Sequence, residues 1–165
     1  LGVSGFLGST ISIESAVFPA KKKGAGTVRF NDTAGSMAKD SVYNAASVIR
    51  NITDKDIKDY DIHVNVIGGG KIDGPSAGAA ITLCIISSLL KKPIRQDIAV
   101  TGEISLQGKI KPVGGIFEKI YGAKRMGINL VLIPKDNEKE IPVNNSGIEV
   151  KAIESINELM EIAFN

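Results

Sequence analysis

The chain has 165 residues, a formal net charge of +2, 23% charged and 5% aromatic residues, one cysteine and one histidine. That length predicts one domain, residues 1–165, able to bury a core without disulfides, while the small charge and few aromatics argue against nucleic acid as a partner. A single histidine rules out a His-rich zinc site, and Cys84, alone inside an apolar run, reads as a structural thiol.

In chain order, Ile11 to Phe18 alternates at first, and Val28 and Phe30 have polar neighbours; with Lys21 to Gly26 between them, they predict a hairpin. Met37 to Ile52 is helical in pattern, with Met37, Val42, Ala45, Ala46, Val48 and Ile49 on one broad side. Tyr60 to Ile67 is a third strand, broken by Gly68-Gly69-Gly70, and Ser76 to Lys91 is an apolar helix too short to cross a bilayer comfortably. Ile98 to Ile104 leads through Gln107-Gly108 into Lys109 to Val113, a second hairpin. Gly114-Gly115 opens a helix to about Met126. Ile128 to Ile133 is a strand ended by Pro134, Ile148 to Ile153 is the last strand, and Ser155 to Ile162 is a helix with Ser155 and Glu158 spaced as a capping box. Hairpins mixed with strand–helix–strand units predict an α+β (mixed α/β) domain rather than a doubly wound sheet. The start at Leu1, with no methionine and no signal-peptide pattern, leads to the expectation of a piece of a longer polypeptide.

Asp73-Gly74-Pro75-Ser76-Ala77-Gly78 puts a serine at the mouth of a helix after a glycine-rich loop. Glycines let backbone approach a substrate, and the first helical N–H groups can receive an oxyanion. Nucleotide-binding readings of the loop fail: Pro75-Ser76 stands where a Walker A loop needs Lys-Ser or Lys-Thr, and Asp73 where a dinucleotide fingerprint needs glycine. The plain structural reading is that Asp73 or Ser76 caps the helix, with Pro75 near its first turn.

On the helix after Gly115, Ile116, Lys119, Ile120 and Ala123 share one face, and Glu118, Gly122 and Arg125 lie on the side expected to be solvated. Lys119 therefore either snorkels its ammonium to water or is desolvated, which lowers its pKa and makes it a general base for a serine. His63, in an alternating strand, is the competing base, with no acid evident to orient it.

Together, Asp73 to Gly78, Thr101-Gly102-Glu103-Ile104 and Pro112-Val113-Gly114-Gly115 followed by Lys119 resemble the proteolytic domain of Lon, the ATP-dependent protease. The resemblance covers most of the chain and implies the Lon protease fold, related to the second domain of ribosomal protein S5. It implies a serine endopeptidase with Ser76 as nucleophile and Lys119 as base, Thr101 holding the lysine, and Asp73 and Gly74 in support. It further implies no cofactor or metal in this domain, ATP and Mg in an upstream AAA+ module of the same polypeptide, a homo-hexameric ring, unfolded protein or peptide as substrate, and a cytoplasmic setting, with any membrane attachment outside these residues. Two departures stand out. Phe117-Glu118-Lys119 replaces the Lys-Glu-Lys of many bacterial members, and the loop Gly68 to Ile72 is richer in glycine and one residue shorter. The rival readings are a non-catalytic interaction domain in which Ser76 caps a helix, and a Ser-Lys processing enzyme that cuts one specific bond.

Overall fold

The computed structural model describes residues 1–31, 34–67, 72, 74–145 and 147–164. Short strands β1 (Gly2–Ser4) and β2 (Leu7–Ser9) form an antiparallel hairpin. A second sheet is built from β3 (Ser12–Pro19), β4 (Val28–Phe30) and β5 (Tyr60–Ile67) in the order β3-β5-β4. The expected hairpin between the first two of these is therefore wrong: β5 lies between them, antiparallel to β3 and parallel to β4. The physical reason is burial. Ile62, Val64 and Val66 of β5 are nearly inaccessible, and a strand that sheds this much apolar surface takes the centre of the sheet.

Helices α1 (Ser36–Asn44) and α2 (Ala46–Thr53) replace the single helix expected there, with Ala45 as the turn between them. Val42, Ala45, Val48 and Ile49 face the core as expected, but Met37 is half exposed. The long helix α3 (Gly78–Leu90) runs through the centre of the molecule, with Ala79, Ile81, Leu83, Ile85, Ile86 and Leu89 buried. It starts two positions later than the sequence pattern suggests, so Ser76 sits in the turn ahead of it.

The expected strand through Ile104 is divided. β6 (Ile98–Val100) joins one sheet, and β7 (Glu103–Ile104) turns away to pair with β8 (Ile110–Lys111) in the hairpin anticipated around Gln107-Gly108. After α4 (Ile116–Arg125), β9 (Leu130–Pro134) and β10 (Glu149–Ile153) complete a three-stranded parallel sheet in the order β10-β9-β6. Every residue of β9 is buried: Leu130 and Leu132 join the main core, while Val131 and Ile133 join a smaller one with Ile116, Ile120 and Ala123 of α4. Burial on both faces is the ordinary state of a parallel sheet. The closing helix α5 (Ile156–Ala163) packs Ile156, Leu159 and Ala163 into the main core. The architecture is α+β, with mixed sheets.

The β1–β2 hairpin overturns one expectation about α4. Gly122, assigned to the solvated side, is buried, and a methyl group there would run into the Gly8 backbone. The reverse also holds, since a methyl on Gly8 would strike the Glu118 carbonyl. Two glycines thus let a strand and a helix touch backbone to backbone, and Arg125 closes the contact by donating to the Gly8 carbonyl at 3.0 Å.

Candidate active site

Three separate segments build the site around one cleft of about 970 Å³, which Ser76 and Lys119 line. The first is the turn ahead of α3. Gly74 has φ +100°, a left-handed conformation that a side chain resists, and no atom of the described residues lies near the place where a Cβ would stand. Pro75 follows, its carbonyl accepting from the Gly78 N–H at 3.0 Å, and the turn leaves Ser76 partly exposed on the cleft wall. Ala77 occupies the N-cap position of α3, which carries no side-chain cap. Ser76 Oγ makes no hydrogen bond among the described residues, so the helix-cap reading of this serine finds no support in the geometry. The N–H groups of Gly78 and Ala79 are engaged, whereas those of Ser76 and Ala77 donate to no acceptor among the described residues.

The second segment is Thr101-Gly102, where the chain leaves β6. Thr101 is fully buried, and its N–H still follows the sheet, donating to the Leu132 carbonyl at 3.1 Å. Gly102 straps the serine turn from both sides: its N–H donates to the Ser76 carbonyl at 2.9 Å, and its own carbonyl accepts from the Ala79 N–H at 3.0 Å. The Thr101 hydroxyl makes a long approach of 3.5 Å to the same Ser76 carbonyl.

The third segment is α4. Gly115 at its N-cap has φ +69°, and one turn later Lys119 is only 4% exposed, beside Ile116 and Ile120. It does not snorkel. Its ammonium donates to Thr101 Oγ1 at 3.0 Å, and no carboxylate among the described residues lies within ion-pair distance. Burial alone lowers its pKa below the ordinary lysine value of 10.5, because a desolvated ammonium loses more hydration than one hydroxyl returns. Thr101 is thus the link between the two halves of the site, joined through its side chain to Lys119 and through its neighbour to the backbone of Ser76.

Of the residues singled out in the sequence, Ser76, Lys119 and Gly74 line the cleft, and Thr101 is buried and bonded to Lys119; Ser76 Oγ and Lys119 Nζ make no direct hydrogen bond. Asp73 and the loop Gly68 to Lys71 lie outside the described residues. His63 is exposed on β5, opposite Ala16 and Arg29, and does not line the cleft. Cys84 does line it, yet its thiol donates to the Ile13 carbonyl at 3.4 Å and burial raises its pKa to about 11, the state of an inert structural thiol.

Sequence reasoning missed two supporting residues. Gly102 was visible only as part of a motif, without its role as a strap. Asn137 lies in the charged run Lys135-Asp136-Asn137-Glu138-Lys139-Glu140, which reads as solvated surface, yet it is 3% exposed. Its side-chain amide accepts from the Val113 N–H at 2.9 Å and donates to the Val113 carbonyl at 3.0 Å and to Glu140 Oε1 at 2.7 Å.

Comparison with known proteins gives the family. The family described as the Lon protease (S16) C-terminal proteolytic domain matches residues 1–165. An archaeal Lon protease of Pyrococcus abyssi is 37% identical over 160 residues, 94% of this chain and 16% of that protein. Lon protease 2 of Bacillus subtilis is 40% identical over 166 residues, covering 93% of this chain and 30% of the relative. Lon protease of Haemophilus influenzae is 40% identical over 167 residues, 94% and 20% of the two chains. The chain therefore spans less than a third of the length of these relatives. A family match over the whole chain, on a fold that brings a serine turn and a buried lysine to one cleft, makes this chain a member of the Lon protease C-terminal proteolytic domain family.

Proposed function

We propose that this protease domain hydrolyses peptide bonds of unfolded proteins through Ser76 as nucleophile and Lys119 as general base. The observation that carries the reading is the state of Lys119: buried, held by a single hydroxyl, without a carboxylate partner among the described residues, and on the same cleft as Ser76. Desolvation favours the neutral amine, the form that takes a proton.

In the proposed cycle, a rotation of the Ser76 side chain brings Oγ within about 3 Å of the lysine nitrogen. Neutral Lys119 takes the Oγ proton as Oγ bonds to the scissile carbonyl carbon, and the carbonyl oxygen becomes an oxyanion. The N–H groups of Ser76 and Ala77 stabilise that charge. The lysine ammonium then passes its proton to the leaving amine as the C–N bond breaks, leaving an acyl-serine. Water enters, gives a proton to neutral Lys119, and adds to the acyl carbon; the lysine returns the proton to Ser76 Oγ as the acid departs. Thr101 orients the lysine throughout. The extended substrate pairs its backbone with an exposed strand edge beside the cleft.

By its relation to much longer proteins, the domain works as one part of a polypeptide whose upstream AAA+ module binds ATP and Mg and unfolds substrates, the whole forming a homo-hexameric ring. The cytoplasm suits its one free, half-buried thiol; among the described residues no helix is long and apolar enough to cross a membrane. A fluorogenic unstructured peptide tests the reading. Ser76→Ala and Lys119→Ala are expected to abolish turnover with folding intact, and turnover retained in either variant would refute the dyad.

A further inference from the structure

Asn137 is among the few polar side chains buried outside the dyad and its threonine, and it contacts no reacting group. Its amide forms a closed two-point clamp on one backbone unit, accepting from the Val113 N–H and donating to the Val113 carbonyl. Both partners would otherwise be paired through a sheet, but β8 ends at Lys111 and α4 begins at Ile116. The segment Pro112 to Gly115 therefore has no ladder to hold it. It is also part of the cleft wall: Pro112, Val113 and Gly114 line it, as does the turn that carries Ser76. Gly114 is exposed, with open space where a Cβ would stand, so its backbone is free to face a ligand.

We infer that Asn137 is a positioning residue for substrate: it replaces a missing strand pairing and holds the Val113-Gly114 backbone in place as a docking wall for the peptide. The inference rests on the protease reading of the cleft, but it concerns binding rather than proton transfer. A second hydrogen bond from the same amide to Glu140 Oε1 fixes the orientation of the clamp, since only the nitrogen end can serve both that carboxylate and the Val113 carbonyl. Removing the amide leaves the Val113 N–H and carbonyl without partners and frees the wall to move. Lys119, one turn into α4 and secured by Thr101 and the smaller core, keeps its place.

The test is peptide affinity in the intact protein made inactive by Ser76→Ala, read by fluorescence anisotropy of a labelled unstructured peptide, with and without Asn137→Ala and Asn137→Asp. Asn137→Asp keeps size and acceptor, but its ionised form cannot donate to the Val113 carbonyl and faces the Glu140 carboxylate, so at pH well above the carboxylate range it breaks the clamp with little loss of volume. Both variants are expected to weaken binding about tenfold, the effect of ~1.4 kcal/mol from unpaired backbone groups, with thermal unfolding still cooperative. In the protein with Ser76 restored, KM should rise by a similar factor while kcat and its pH profile stay put. A merely structural role would lower the active fraction, and hence apparent kcat, without moving KM. Unchanged affinity in folded Asn137→Asp overturns the inference, as does the absence of any peptide binding by the Ser76→Ala protein. Intact binding without turnover in the parent would instead refute the dyad while leaving this role standing.

Discussion

Lys119 is the base of the proposed mechanism, and its burial has consequences for stability as well as rate. Its folded pKa is depressed by desolvation, so between that value and the unfolded value of 10.5 the unfolded chain binds the extra proton. The cost of burying the lysine is then complete below the folded pKa and fades as pH rises toward the unfolded one. Lys119→Met should accordingly raise the melting temperature near pH 7 by a few degrees, at about 2–4 °C per kcal/mol for a domain of this size, with the gain shrinking toward pH 10–11; calorimetry across pH checks it. Thr101→Val keeps the shape and removes the acceptor from the ammonium. The charged lysine loses its one hydrogen bond, so the ascending limb of the rate profile should move to lower pH. The rate itself should fall about tenfold or more as the amine loses its orientation. A limb that moves upward would mean that Thr101 does not stabilise the ammonium. His63→Ala, by contrast, should leave turnover at the parental level, because His63 stands exposed on β5, away from the cleft.

At the scale of elements, the site depends on how α4 is fixed from outside. The Gly8–Gly122 contact holds the β1–β2 hairpin on that helix, and a methyl at either position meets backbone, which cannot rotate away. Gly8→Ala should cost about 2–3 kcal/mol, as overpacking does, and lower activity with it, since α4 carries the lysine. At the far end of the chain, Ser155 Oγ accepts from the Glu158 N–H at 3.3 Å, while the Glu158 carboxylate accepts from the Glu154 N–H at 3.2 Å instead of from Ser155 itself. Ser155→Ala should therefore cost about 1 kcal/mol of stability with no change in peptide turnover, and thermal melts beside rate measurements separate the two substitutions. The capping serine, the helix bearing Lys119 and the central strand β5 could be read from the sequence because their signals are local: a residue at a fixed offset, or a 3.6 or 2.0 period. The hairpin wrongly expected between β3 and β4 had sound turn residues in Lys21 to Gly26, but nothing local shows that a strand thirty residues further on fits between the two. Nor do three-residue strands such as β1 and β2 carry a period long enough to see.

For the molecule as a whole, the sequence pattern gave the α+β class, the motifs told which residues would meet, and their meeting depends on contacts distant in sequence. Ser76, Thr101 and Lys119 are carried by a turn, a strand end and a helix, and only the packed cores bring them to one site. Asn137 shows the limit. Its burial is decided by the Val113 backbone that it covers, and a run of charged neighbours hides it. In the proposed mechanism proton transfer runs between Ser76 and Lys119, so the chemical step on an unstructured peptide should need neither nucleotide nor chelatable metal, whereas degradation of folded proteins should require the proposed ATPase module. Assays with and without ATP and a chelator, on both substrate types, distinguish those roles.

The most direct test of the dyad is single-turnover cleavage of an unstructured peptide across pH by the parent protein and by folded Ser76→Ala and Lys119→Met. The parent should show a rate that climbs with pH through a midpoint below 10.5, and both variants should lose at least a thousandfold of it, roughly the loss expected when a nucleophile or its base is removed. A Lys119→Met protein that cleaves at the parental rate, or a parent rate that does not change from neutral to alkaline pH, would contradict Lys119 as the base.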